Sequence, residues 1–167
     1  EIMHDKATSE PVRVSLSYEH HYHLFLSHIW GTGQDQVAAV KRQLVLLVPG
    51  VSIFLDVDDL EDINSLERYI DETAVVLMFL SKGYFQSRNC LREVVATVAK
   101  HKPLVLLWEP DATKGGAPIE ALKEELTCDR SRAILEELGS TPEECLECIS
   151  GPHTRCVLST RSVHSVL

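Results

Sequence analysis

Val51-Ser52-Ile53-Phe54-Leu55-Asp56-Val57-Asp58-Asp59-Leu60-Glu61-Asp62-Ile63-Asn64-Ser65-Leu66-Glu67 opens as a strand, closes as the first turn of a helix, and is crowded with carboxylates between. Val51, Ile53 and Leu55 make one apolar face and Phe54 fills the other. A strand apolar on both faces is covered on both sides, as in a parallel sheet. Asp56, Asp58, Asp59, Glu61 and Asp62 follow its carboxyl end, the edge where open α/β sheets bind their ligands. Asn64 or Ser65 can cap a helix over about residues 65–73. With Asn64 as the cap, Glu67 falls where a capping box needs it.

Outward from this stretch the same grammar repeats. Tyr22-His23-Leu24-Phe25-Leu26-Ser27 reads as the first central strand, and His28-Ile29-Trp30-Gly31-Thr32-Gly33 as a loop. Val37, Val40, Leu44, Leu47 and Val48 then recur at helical spacing until Pro49-Gly50. Residues 74–80 are a fully apolar strand. Residues 84–100 carry Cys90, Leu91, Val94, Val95 and Val98 on one helical face. Residues 103–108 are another strand. Short helices are expected at 119–126, 132–138 and 142–149, the last opened by a Thr141/Glu144 capping box. A fifth strand is expected near 155–160.

Strands alternating with helices predict an α/β fold: a flavodoxin-like, doubly wound parallel sheet in three layers with about five strands. Residues 1–21 are an N-terminal arm, with Val12–Tyr18 alternating like an extra half-exposed strand. Residues 22–167 are the domain.

The 167-residue length fits one domain. A net charge of −9 excludes a general nucleic-acid surface, which needs a basic patch. No apolar run is long enough to span a bilayer. The opening Glu1-Ile2-Met3-His4-Asp5 has no basic run ahead of an apolar core, so no signal peptide is expected; lacking Met at position 1, the chain is read as part of something longer. Five cysteines without a secretion signal favour free thiols in the cytoplasm. Cys145-x2-Cys148-x4-His153-x2-Cys156 contains zinc-ligand residue types, but its last spacing is short for a knuckle and its first half reads as helix.

Three segments together resemble the Toll/interleukin-1 receptor (TIR) domains. Leu24-Phe25-Leu26-Ser27-His28 resembles the family's opening box. Val51 to Glu61 resembles the second strand and loop of its NAD-cleaving members. Leu80-Ser81-Lys82-Gly83-Tyr84-Phe85-Gln86-Ser87-Arg88-Asn89-Cys90-Leu91-Arg92-Glu93-Val94 looks like the serine, tyrosine and cysteine-leucine-x-glutamate run of plant TIR domains. The resemblance covers about residues 22–108. It implies one of two functions: hydrolysis of NAD to nicotinamide and ADP-ribose or a cyclic variant, or non-catalytic assembly with other TIR domains or copies of itself. Either would serve signalling or defence.

For the enzyme, the resemblance implies a catalytic glutamate after the second strand. Leu66-Glu67 fits best, with Glu61 the alternative if the register slips. Ser27, His28, Trp30, Gly31 and Asp56 become NAD contacts. NAD is the substrate, and no cofactor or metal is expected. The family's cationic pair after the first box is replaced by Ile29-Trp30, which leaves backbone amides at Gly31–Gly33 for phosphate. A phospho-acceptor receiver domain would also explain the acidic loop, but it needs an aspartate after the third strand, where this chain has Leu80-Ser81.

Overall fold

The computed structural model describes residues 2–55, 65–151 and 154–160. The acidic stretch from Asp56 to Asn64 lies outside the described residues, and so do Glu61 and Asp56 as expected site groups.

The strands are β1 (Tyr22–His28), β2 (Ile53–Leu55), β3 (Thr73–Leu80), β4 (Leu104–Trp108) and β5 (Thr154–Ser159). They form one sheet in the order β2-β1-β3-β4-β5, with every pairing parallel. That is the flavodoxin-like order, in which the chain reverses direction across the sheet between β1 and β3. The helices are α1 (Trp30–Leu47), α2 (Leu66–Asp71), α3 (Arg88–Ala99), α4 (Ile119–Thr127), α5 (Asp129–Glu137) and α6 (Pro142–Ser150). Among the described residues, no helix is long and apolar enough to cross a membrane.

Alternation along each buried strand sends side chains to two cores. Phe25, Phe54, Val76, Met78 and Leu104 face α2, α3, α4 and α6, where Phe54 stacks between Phe25 and Tyr69 at 5.0 and 4.5 Å. Leu26, Leu55, Leu77, Phe79 and Leu107 face α1 through Val37. The three-layer arrangement follows directly from this two-sided burial.

Three local expectations change. Residues 12–18 form no strand: the arm makes one antiparallel bridge, His4 to Pro11, and ties to α1 through Met3 N–H to Leu47 O at 2.9 Å. With β2 at the sheet edge and no pairing to it, alternation there has no partner to satisfy. The loop expected at His28–Gly33 is already helix from Trp30. Gly33 is inside it because a Cβ there would sit 3.1 Å from Phe79, so glycine lets the helix lie close on the sheet. The helix expected over 84–100 begins instead as a 3-10 turn, Tyr84–Gln86; α3 then starts after Ser87, whose Oγ accepts from Cys90 N–H at 3.4 Å. The Thr141/Glu144 capping box is present in full.

Candidate functional site

The carboxyl ends of β1 and β3, the first turn of α1 and the start of α3 meet at one place. Ser27 is the next-to-last residue of β1 and is 1% exposed. Its hydroxyl donates to Glu93 Oε2, and the Tyr84 phenol bonds to the same Ser27 oxygen. A serine has one proton to give. Once it goes to the carboxylate, Tyr84 must be the donor to Ser27, so the chain runs Tyr84 to Ser27 to Glu93. Burial, with Glu93 and Cys90 nearby, raises Tyr84 well above the ordinary phenol range; the phenol therefore stays protonated and keeps its donor role.

Glu93 is 3% exposed, in the middle of α3. It lines a cavity of about 240 Å³ together with His28, Ile29, Trp30, Gly31, Asn89 and Cys90. Cys90 Sγ lies 3.4 Å from the carbonyl of His28, which fixes the start of α3 against the end of β1. A second hollow of about 420 Å³ shares Trp30 and Gly31 with the first and is walled by Thr32, Asp35 and Gln36 of α1 and by Thr113-Lys114-Gly115. Gly115 lies against Thr32, where a Cβ would be 2.8 Å from the Thr32 carbonyl, so only glycine lets this loop close so tightly. Trp30 lines both hollows and is 57% exposed. The N-cap residue of α1, Ile29, makes no side-chain cap hydrogen bond.

The expected site residues divide. His28, Trp30 and Gly31 line the smaller cavity, and Ser27 stands behind it as the partner of Glu93. Asp56 lies outside the described residues. Glu67 is on α2 in a two-pronged pair with Arg92: Nε to Oε1 and Nη2 to Oε2, both 3.0 Å. The capping-box reading of Glu67 rests on Asn64, which lies outside the described residues. The cap of α2 is Ser65 and Glu67 is the second helical residue, with its oxygens on Arg92.

Sequence reasoning passed over Glu93, although the signal was present. Cys90, Glu93 and Thr97 fall on one stripe of α3 at spacings of three and four, and all three are buried. A carboxylate on an apolar stripe is rare without a specific partner. Among the described residues no group of His, Cys, Asp and Glu is placed to hold a metal. Cys145 and Cys148 are buried in α6; His153 and the Cys156 side chain lie outside the described residues.

No protein-family model matches the sequence, and no curated protein matches it. Among solved structures, the chain is similar to the TIR domains in the structure of the activated Roq1 resistosome directly recognizing the pathogen effector XopQ. The TM-score is 0.58 at 18% identity, over 86% of this chain and 90% of that one. The likeness establishes a TIR-like fold.

Proposed function

We propose that this TIR-like domain is an NAD glycohydrolase whose reacting carboxylate is Glu93. The observation that carries the reading is the placement of Glu93: a buried carboxylate, oriented by Ser27 and Tyr84, facing a cavity beside an exposed indole.

The reaction breaks the bond between ribose C1′ and the nicotinamide nitrogen. The bonding pair leaves with nicotinamide, and positive charge develops on the ribose. Water then adds at C1′ and loses a proton, giving ADP-ribose. A fixed carboxylate near the ribose hydroxyls holds the sugar and stabilises that charge, as carboxylates do in glycosidases. Ser27 limits the rotation of Glu93, so less reorganisation is needed as charge develops.

The paired hollows suit a dinucleotide. The smaller takes the nicotinamide riboside end against Glu93. Trp30 offers a ring face for stacking. The larger takes the diphosphate and second nucleoside, where the N-terminal end of α1 and Lys114 supply the positive potential that the missing cationic pair would have given.

Incubation with NAD and measurement of released nicotinamide tests the reading, at high protein concentration and with lipid or crowding support where TIR assemblies form. No release under any of these conditions overturns it.

Homotypic assembly is a second reading, favoured by the apolar residues left exposed near the end of α1. Leu46 is 62% and Val45 50% exposed, beside the arm residue Met3 at 42%. Light scattering against concentration tests it, and a constant monomer mass overturns it.

A further inference from the structure

Lys114-Gly115-Gly116 follows β4, and its two glycines answer to two different neighbours. Gly115 has φ +77° and lies on the Thr32 carbonyl of α1. Gly116 is buried, and a Cβ there would lie 2.2 Å from the Glu109 carbonyl oxygen. The loop is thus pressed against the first turn of α1 on one side and against the residue after β4 on the other.

Its hydrogen bonds close within the loop and on two other elements. Glu109 Oε1 accepts from the Asp111 N–H at 2.8 Å, and the Asp111 carbonyl accepts from the Lys114 and Gly116 N–H groups at 3.0 and 2.9 Å. The Lys82 N–H, just past β3, donates to the Gly115 carbonyl at 3.0 Å. Thr32 Oγ1 donates to the Lys82 carbonyl at 2.9 Å and also pairs with Ser81 Oγ at 2.9 Å. A threonine has one proton to give, so at the second contact Ser81 is the donor. From α1, Gln36 Nε2 donates to the Lys114 carbonyl. The start of α1, the exit of β3 and this loop are therefore joined at the sheet edge where α/β folds take ligands.

Gln36 lies on the α1 wall of the larger hollow and Lys114 on the loop wall, so their hydrogen bond runs from one wall to the other. With its N–H on Asp111 and its carbonyl on Gln36, the Lys114 backbone is fixed at both groups. Asp35 lines the same hollow. Affinity for an anion there depends on where the Lys114 ammonium is held against that carboxylate. A wall already ordered also costs less to order on binding.

We propose that Gln36 is a positioning residue for dinucleotide binding: by holding the Lys114 carbonyl it fixes the Thr113–Gly115 wall, and with it the ammonium that meets the diphosphate. Gln36 lines the larger hollow and not the smaller, so its effect falls on binding and not on the bond that breaks. This rests on the NAD reading but not on which carboxylate reacts.

The experiment compares the full chain with Gln36→Met, which keeps the length and removes the donor, with Lys114→Gln, and with the double variant. It reads the Kd for ADP-ribose by calorimetry, amide hydrogen exchange at Lys82 by NMR, and kcat and KM for nicotinamide release from NAD. Gln36→Met is expected to speed exchange at Lys82 and to weaken ADP-ribose by roughly fivefold or more, the scale of one lost hydrogen bond. KM should rise in step while kcat stays within about twofold. Because Gln36 acts through Lys114, the double variant should bind no worse than Lys114→Gln alone, to within about twofold.

ADP-ribose binding by the unaltered chain that Gln36→Met leaves unchanged overturns the role of Gln36, as do unchanged exchange at Lys82, a fall in kcat without a rise in KM, or losses that multiply in the double variant. If the unaltered chain neither binds ADP-ribose nor releases nicotinamide, the NAD reading itself falls, and this role with it.

Discussion

Arg92 grips Glu67 with both prongs of its guanidinium, Nε on Oε1 and Nη2 on Oε2, each at 3.0 Å, while the next residue along the chain, Glu93, turns inward to Ser27. Consecutive helical residues point about 100° apart. One helix thus presents a cation to a carboxylate on α2 and its own carboxylate to the cavity. The two glutamates have opposite circumstances: one neutralised at a half-exposed surface, the other buried beside empty space.

This contrast sets the first prediction. Glu67 is 45% and Arg92 19% exposed, so solvent screens the pair. Glu67→Ala should cost only about 1 kcal/mol of stability, a fall of roughly 2–4 °C in Tm for a domain of this size. Nicotinamide release should stay within a few-fold. Glu93→Ala should lower release by roughly 100- to 1,000-fold, the scale of losing a preorganised electrostatic group. The reverse ranking would return the catalytic role to Glu67.

The second prediction concerns the two hydroxyls behind Glu93. Tyr84→Phe removes one donor and leaves Ser27 bonded to Glu93, a loss of about 1 kcal/mol. Ser27→Ala strands the buried Tyr84 hydroxyl, at about 1–3 kcal/mol for the group left unpaired, and also takes one hydrogen bond from Glu93 Oε2. Urea unfolding should therefore rank Ser27→Ala as the more damaging. The double variant should be less destabilised than the sum, since its members share one hydrogen-bond chain.

How much of this could be read from the residues varies with the kind of signal. The sheet was legible because residues 74–80 and 104–107 are continuous apolar runs, and parallel strands buried on both faces read that way. The arm was not. Val12 to Tyr18 has strand alternation, yet Tyr18 is 96% exposed; alternation reports what a strand could bury, not whether a neighbour exists. The start of α1 was hidden by Gly31 and Gly33, which look like loop residues until Phe79 is seen beneath the helix. Ser27, His28, Trp30 and Gly31 were singled out because they sit at or just beyond the end of the first strand, and the structure puts His28, Trp30 and Gly31 around the smaller cavity. Glu93 was overlooked because its meaning lies in a contact with a residue 66 positions away.

The third prediction uses the exposed indole. Trp30 packs little of its surface, so Trp30→Ala should leave the unfolding midpoint within a degree or two. Losing an aromatic stacking platform is worth about 1–3 kcal/mol. KM for NAD should accordingly rise roughly 5- to 100-fold with kcat less affected. NAD should quench the tryptophan fluorescence of the unaltered chain. Trp108, whose indole N–H is tied to the Ala117 carbonyl at 2.7 Å, should contribute the quench-resistant part. An unchanged KM would remove Trp30 from the binding surface.

The fourth prediction follows from the burial of Glu125. Desolvation raises its pKa above the ordinary 4.5, against the pull of the Gly83 and Phe85 amides and of Lys82. For an acid raised in the folded state, ionisation costs more folded than unfolded. Below about pH 4.5 the group is protonated in both states and the cost is absent; as pH rises through the folded pKa the cost appears in full. Glu125→Gln has no such charge. Its Tm relative to the unaltered chain should rise with pH just above 4.5 and then level off. A difference that stays flat from pH 4 to pH 8 would show that Glu125 is ordinarily solvated.

The last prediction orders the thiols. Alkylation needs the thiolate and an open approach. Cys128 is half-buried at the start of α5, and hydrogen bonds from Ser131, by side chain and backbone, hold its pKa below the ordinary thiol value. Burial pushes Cys145 up to about 11 and also raises Cys148. Cys90 is 1% exposed beneath the small cavity. Iodoacetamide at pH 7.5 on the folded protein, followed by peptide mass mapping, should label Cys128 well before Cys90, Cys145 or Cys148. All four should react at similar rates in urea. If Cys145 and Cys148 were protected by a bound zinc ion instead of burial, a chelator would expose them to the reagent without denaturant. Burial alone predicts that the chelator changes nothing.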